Sequence, residues 1–222
     1  GPAPPVESIR RSAALIDSSR RVLLRNVGWE VYEALLDARG NDPSPRFAYD
    51  QGDLEITSPS RKHQWLKSLI GRLIEAYTEE RGIDIQSVGA TTLKSQLQAK
   101  GLEPDESYYV QNELLVRGKE DFDLARDPPP DLAVEIDVTS SSIDKLGIYA
   151  SLGVPEVWTY DEGLVIYHLG PSGERRAASK SKALPDVVSS DLNRFLKCRA
   201  SLSETQLVRR FRTWVRERHG AG

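Results

Sequence analysis

The chain has 222 residues, 28% of them charged, and its formal net charge is −3. This balance is typical of a globular protein and excludes a chain-wide positive field, so any basic surface for nucleic acid must be local. The single cysteine, Cys198, excludes an intrachain disulfide and favours a reducing, cytoplasmic setting. No apolar stretch reaches the roughly 18 residues of a transmembrane helix, so we expect no membrane partner.

The N-terminal segment is predicted to be a flexible arm. Residues 1–25 are rich in Arg, Ser and Pro and show no sustained periodicity. The initial Gly1-Pro2 resembles the remnant of a cleaved purification tag and is excluded from reasoning about the fold.

A helix, a hairpin and a second helix are predicted next. Asn26 is a candidate N-cap for a helix over 27–39. The stretch "RFAYDQGDLEITSPS" predicts a hairpin that turns at "DQGD". Over 61–81, apolar residues recur at i, i+3, i+4 and i+7, which predicts a long amphipathic helix ended by Gly82.

The remaining elements predict an α/β fold with a mixed sheet. They are β-type runs near 83–93 and 105–116, a Pro-rich loop over 117–130, a strand over 131–138, a helix over 141–152, the strands "VPEVWTYD" and "LVIYHLG", and two C-terminal helices. Their order predicts an α-β-β-β-α-β core within a domain over 26–197. A basic amphipathic helix is expected over 198–222.

The strand in "PPPDLAVEIDVTSSSIDK" carries the sharpest chemical signal. Because side chains alternate along a strand, Asp131, Glu135 and Asp137 are predicted to share one face, opposite an apolar face. Carboxylates two residues apart lie about 6 to 7 Å from one another and repel unless a cation lies between them. Mg²⁺ suits such oxygen ligands. The alternative is a half-exposed strand with a solvated polar face.

Three further residues are candidates for the same site. Asp105 begins a β-type run and approaches Glu135 if the two strands pair. Lys145, early in the next helix, can reach these carboxylates and orient a water molecule, although exposed helix lysines are more common. His63 lies on the inward stripe of its helix. It is either a site residue or a core histidine whose hydrogen bonds are satisfied within the protein.

A basic cluster marks the last helix. Arg209, Arg210, Arg212 and Arg216 flank an apolar stripe, so this helix can dock by one face and present arginines to phosphates. A solvated basic face is the alternative.

Four segments, "GDLEITSPSRKH", "GLEPDESYYV", "PPDLAVEIDVTSSSIDK" and "IYASLGVPEVWTYD", resemble the Uma-type endonuclease family of the PD-(D/E)XK, or restriction-endonuclease-like, superfamily. The resemblance covers about 26–197. It implies the α-β-β-β-α-β core and phosphodiester hydrolysis that depends on Mg²⁺ or Mn²⁺. It also implies that Asp105 and Glu135 hold the metal, with the carbonyl of Ile136 as a further ligand, and that Asp131 marks the entry of the strand.

One position departs from the superfamily pattern. Asp137 stands where a lysine is expected two residues after the acidic ligand, Glu135. The resemblance allows a lysine from the following helix to replace it, and Lys145 is that candidate. Asp137 is then an extra metal ligand or the sign of a degenerate site. His63 matches the histidine that the family tends to place at the start of this helix.

The leading hypothesis is therefore a cytoplasmic, metal-dependent endonuclease that acts on DNA, with RNA left open, and that forms a homodimer. Two alternatives stay open. One is a catalytically degenerate nuclease fold that binds nucleic acid or a protein. The other is a defence or toxin effector nuclease gated by a regulatory protein partner.

Overall fold

Residues 20–220, the part that the computed structural model describes, form two β-sheets and six α-helices. The strands are β1 (Arg20–Leu24), β2 (Arg46–Asp50), β3 (Asp53–Ser58), β4 (Gln86–Ser87), β5 (Leu93–Ser95), β6 (Lys100–Leu102), β7 (Glu106–Tyr109), β8 (Leu132–Ile136), β9 (Glu156–Tyr160), β10 (Leu164–Leu169) and β11 (Arg175–Ala178). The helices are α1 (Trp29–Arg39), α2 (Arg61–Arg81), α3 (Glu113–Val116), α4 (Lys145–Ser151), α5 (Ser189–Lys197) and α6 (Glu204–His219). Most of the predicted arm, with Gly1-Pro2, lies outside the described residues.

The five-stranded sheet has the order β1-β3-β2-β6-β5 and is antiparallel throughout. The predicted hairpin forms its centre: Gln51 and Gly52 take positive φ at the turn between β2 and β3. Such turns match the twist of the flanking strands. The prediction of a flexible arm as far as residue 25 is wrong for 20–24, because these residues form β1 and pair with residues 54–58 of β3.

The six-stranded sheet has the order β11-β10-β9-β8-β7-β4, and β8 and β9 are its parallel pair. Taken with the helices, this sheet follows the chain order α2-β4-β7-β8-α4-β9. That order confirms the predicted α/β fold class and its α-β-β-β-α-β core. Along the chain, the strands β5 and β6 lie between β4 and β7, but they belong to the five-stranded sheet. The local sequence pattern of β5 and β6 does not indicate which sheet they join.

Strand β8 is buried on both faces. Leu132, Val134 and Ile136 belong to the main hydrophobic core, to which α2 also contributes. Ala133 belongs to a second cluster built largely from α4. Glu135 has 1% of its surface exposed. The alternative of a half-exposed strand with a solvated face is therefore wrong, and the carboxylate of Glu135 needs partners inside the protein.

Several predicted boundaries are corrected. Helix α1 begins at Trp29 after Gly28, and Asn26 has a φ of 56° instead of the extended backbone of an N-cap. The β-type run to 116 ends early, since α3 follows β7. The helix predicted from 141 begins at Lys145, because a 3₁₀ turn precedes it. Strand β11 was not predicted, since its sequence is polar and exposed.

Helix α2 confirms its predicted bounds and connects the core to the site. The side chain of Ser60 accepts a hydrogen bond from the His63 amide, which caps the N-terminus, and Gly82 takes the left-handed conformation at the other end. Its buried stripe packs against β8 and α6. No helix within residues 20–220 is both long and apolar enough to cross a bilayer.

Candidate active site

A small pocket lies where the chain passes from one sheet to the other, between β6 and β7. Its volume is about 30 Å³, which is room for one or two water-sized groups. Charged side chains from both sheets, α2 and α4 line it: Arg21, Arg46, Glu55, His63, Glu103, Asp105, Asp137 and Lys145.

Asp105 and Glu135 face each other across neighbouring strands. Asp105 immediately precedes β7, whose first residue, Glu106, pairs with Val134 in the antiparallel β7–β8 ladder, and the Asp105 amide donates to the Val134 carbonyl at 3.1 Å. Asp105 is therefore close enough for its charge to act on Glu135. The Asp105 carboxylate also accepts a hydrogen bond from the Ile136 amide at 2.7 Å. The strand pairing that the sequence left conditional is therefore present.

Two basic side chains hold Asp105. Its Oδ1 lies 2.8 Å from Nε2 of His63 and forms an ion pair with Arg46. Burial alone would raise the pKa of Asp105, but the hydrogen bond from His63 and the charge of Arg46 keep its pKa well below the usual value. Asp105 is thus ionised at neutral pH although it is fully buried.

Glu135 has a different environment. Its Oε1 accepts a hydrogen bond from the Tyr149 hydroxyl at 2.5 Å, and its Oε2 lies 3.5 Å from Nζ of Lys145. Burial raises the pKa of Glu135 above its ordinary value, against the opposing charge of Lys145. Two opposed carboxylates therefore have pKa values shifted in opposite directions, which is typical of functional sites.

Helix α4 positions both partners of Glu135. Lys145 and Tyr149 are four residues apart and so share one side of the helix. Asp144 caps this helix by accepting from the Gly147 amide at 3.2 Å, and its carboxylate also binds Arg175. The start of α4, and with it Lys145, is fixed by these bonds.

The Ser/Thr run after β8 forms the turn that brings α4 back. Glu55, buried on β3, accepts hydrogen bonds from the Ser141 hydroxyl at 2.9 Å and the Ser142 amide at 2.7 Å. Asp137, with a φ of 56°, ends the strand before this turn. Aspartate tolerates the left-handed region better than most residues. The five-stranded sheet therefore holds the loop that leads to Lys145.

The predicted acidic face of β8 is corrected in two of its three members. Asp131 lies just before the strand and accepts from the Val110 and Asn112 amides at 2.7 and 3.0 Å, so it fastens a loop. Asp137 leaves the strand and lies at the pocket with Oδ2 4.0 Å from Nδ1 of His63. Glu135 alone of the three faces Asp105.

The arginines of α6 lie elsewhere. Arg212 binds Glu79 and Glu80 of α2, and Arg216 binds Glu80, whereas Arg209 and Arg210 are exposed. Glu79 is 16 residues along α2 from His63 in the numbering, which is about 24 Å at the rise of an α-helix. The structure thus brings Asp105, Glu135, Lys145, His63 and Asp137 together and leaves the four arginines apart.

Sequence reasoning missed Arg46 and Tyr149. Arg46 opens β2, in the other sheet, and nothing in its local pattern indicates a contact with Asp105. Tyr149 had a usable signal, because it stands one helical turn after Lys145. Its apolar neighbours made it look like an ordinary core residue.

The oxygen donors at the pocket suit a hard divalent cation. Mg²⁺ commonly takes one or two carboxylates and keeps several waters. Within residues 20–220 no three His, Cys, Asp or Glu side chains converge as a ready metal cluster. Asp105 and Ile136 line the pocket, and Glu135 is buried on the adjacent strand. Asp105, Glu135 and the Ile136 carbonyl would hold the ion, and water would supply the remaining ligands. This donor set fits the ion.

Comparison with known proteins gives a family match and similar solved structures. A crystal structure from Anabaena variabilis ATCC 29413, titled as "a putative nuclease belonging to DUF820", is 18% identical over 81% of this chain and 96% of that chain, with a TM-score of 0.47. No curated protein matches significantly. Residues 29–196 match the Uma2 family model, described as "Putative restriction endonuclease". Because this match spans most of the chain, the protein belongs to the Uma2 family.

Proposed function

We propose that the protein is a metal-dependent endonuclease that hydrolyses phosphodiester bonds, with DNA as its substrate. The convergence of Asp105, Glu135 and Lys145 carries the proposal: two opposed carboxylates from adjacent strands, with a lysine from the following helix beside them. Membership of a family described as "Putative restriction endonuclease" supports the same activity.

Asp105 and Glu135 would hold Mg²⁺ or Mn²⁺, together with the Ile136 carbonyl. Such an ion, when bound, lowers the pKa of a water ligand and neutralises phosphate charge. His63 and Arg46 prepare the protein for it, since they keep Asp105 ionised, and metal ligands must be deprotonated.

Lys145 and His63 are the groups that can act on the reacting atoms. The Lys145 ammonium donates to a water molecule or to a phosphate oxygen beside Glu135 and stabilises the negative charge that develops there. His63 contacts Asp105 through Nε2, and its other ring nitrogen, Nδ1, lies on the side of Asp137. Tyr149 positions Glu135 through its hydroxyl and touches no substrate in this scheme.

Plasmid cleavage tests the proposal. Supercoiled and linear DNA are incubated with the protein in Mg²⁺, Mn²⁺ or EDTA, beside Glu135→Gln. We expect metal-dependent nicking or linearisation by the native protein and a loss of at least about 100-fold in Glu135→Gln. Glu75→Gln is the matched control, because Glu75 is exposed on α2. Cleavage that survives EDTA or Glu135→Gln contradicts this mechanism.

A binding module without cleavage is the competing function. The observation that favours it is the engagement of Asp105 by both Arg46 and His63, because the guanidinium of Arg46 already supplies positive charge at the site. DNA binding that persists unchanged in EDTA and in Glu135→Gln, with no cleavage in either metal, would establish the module instead.

A further inference from the structure

A guanidinium from outside the region matched by the family lies at the same pocket. Arg21 belongs to β1, the edge strand of the five-stranded sheet, whereas the family match begins at residue 29. We propose that Arg21 is a substrate-binding residue that holds a phosphate group of the nucleic-acid backbone. This inference rests on the proposed nuclease function and adds a residue to it.

The strand register aims Arg21 at the site. Arg21 pairs with Thr57 on one side of β3, and Arg46 pairs with the same Thr57 on the other side. Directly opposed residues of antiparallel strands share a face, so the three side chains form a row on the pocket side of the sheet. Two strand spacings separate the backbones of the arginines, about 10 Å. Arg46 reaches Asp105, and Arg21 reaches the pocket wall beyond Thr57.

Arg21 differs from the other cations of the pocket because the described residues give it no partner. Arg46 and Lys145 pair with Asp105 and Glu135. Nη1 of Arg21 is buried, yet within residues 20–220 nothing accepts a hydrogen bond from it. Buried donors in native proteins are nearly always paired, so an unpaired one calls for an explanation.

Two of the acids that line the pocket are engaged elsewhere. Glu55 shares the face of Arg21 but accepts from Ser141 and Ser142. Glu103 binds Arg39 and Arg46. Within residues 20–220, neither of these acids occupies the guanidinium fork, which can therefore receive an anion that enters from solvent. Phosphate suits it, because arginine donates two parallel N–H bonds to phosphate oxygens.

The test measures DNA binding separately from cleavage. Affinity of Arg21→Gln for a fluorescent DNA duplex is measured in EDTA over a series of salt concentrations, beside the native protein. We expect binding about 10-fold weaker and a slope of log K against log salt reduced by about one, because one phosphate contact is lost. Arg21→Lys should recover most of the affinity, since it keeps the charge.

Arg20→Gln is the matched control. It removes the same charge from the adjacent residue, which is exposed and points to the opposite face of β1. Its slope should equal that of the native protein. Arg21→Gln should unfold at the native temperature or above it, because no bond within the described residues is lost.

Three results would overturn the inference. Equal salt slopes for Arg21→Gln and the native protein would show that Arg21 makes no phosphate contact. That result would not contradict the proposed nuclease function. A large drop in the unfolding temperature of Arg21→Gln would make Arg21 a structural residue. If the native protein neither binds nor cuts DNA, the proposed function itself fails, and the role of Arg21 fails with it.

Discussion

Nζ of Lys145 lies 3.5 Å from Oε2 of Glu135, although the two residues are ten positions apart and belong to a helix and a strand. Asp137, which occupies the position where the superfamily expects its lysine, lies beyond the end of β8, and its carboxylate lies near His63 instead. The geometry therefore assigns the contact with Glu135 to the residue from α4.

Removing the ammonium of Lys145 tests whether this contact serves catalysis. Lys145→Met keeps the alkyl stem and loses the charge. We expect the cleavage rate to fall by at least about 100-fold, the size of effect found when one transition-state donor is removed. The unfolding temperature should fall as well, because the buried carboxylate of Glu135 loses its cationic partner.

The control for that change is Lys182→Met, which removes an exposed lysine outside the pocket. Single-turnover cleavage of plasmid DNA and thermal unfolding are measured on both variants. A Lys145→Met protein that cuts at the native rate would remove this lysine from the mechanism.

We expect the hydroxyl of Tyr149 to stabilise the folded protein. Its hydroxyl donates to Oε1 of Glu135 in a fully buried position. Tyr149→Phe leaves a buried carboxylate oxygen without its donor, which costs about 1 to 3 kcal/mol of unfolding free energy. Urea unfolding at neutral pH measures it, with Tyr167→Phe, a half-buried tyrosine on β10, as the control. Equal midpoints for both variants would show that the hydroxyl contributes nothing.

The bond between Asp144 and Arg175 predicts a pH dependence of stability. The hydrogen bond from Arg175 lowers the pKa of Asp144, and the Gly147 amide adds to this. An acid with a lowered folded pKa contributes stability above its unfolded pKa of about 4. That contribution is lost as the pH falls through the lower, folded value.

Arg175→Gln should therefore flatten the loss of stability on acidification below about pH 4. The effect is modest, because both side chains are largely exposed and solvent screens the pair. Urea midpoints from neutral to acidic pH measure it, and Arg176→Gln, the exposed neighbour, is the control. Identical acid profiles for the native protein and Arg175→Gln would contradict the prediction.

Local patterns predicted most of this fold. Periodicity located α2 to the residue, and alternation located β8 and its buried apolar face. The site was predicted less completely, for a physical reason. Asp105 and Glu135 follow from adjacent strands, but the contact of Arg46 with Asp105 depends on packing between two sheets, which no local pattern encodes. Strand alternation alone placed Asp131 with Glu135, whereas the family resemblance assigned it to the entry of the strand, and its position and hydrogen bonds confirm the second interpretation.

The basic helix α6 supplies the last prediction. Four of its arginines were expected to contact nucleic acid, but two of them have different surroundings from the other two. Arg212 and Arg216 pair with acids of α2, whereas Arg209 and Arg210 are exposed. Replacing either pair by glutamine removes the same charge.

We expect Arg209→Gln/Arg210→Gln to reduce the salt slope of DNA binding, because exposed arginines release counterions from phosphates. Arg212→Gln/Arg216→Gln should leave that slope unchanged and lower the unfolding temperature slightly. Fluorescence anisotropy over a salt series distinguishes the pairs, and equal slopes in both double variants and the native protein would exclude α6 from the nucleic-acid surface.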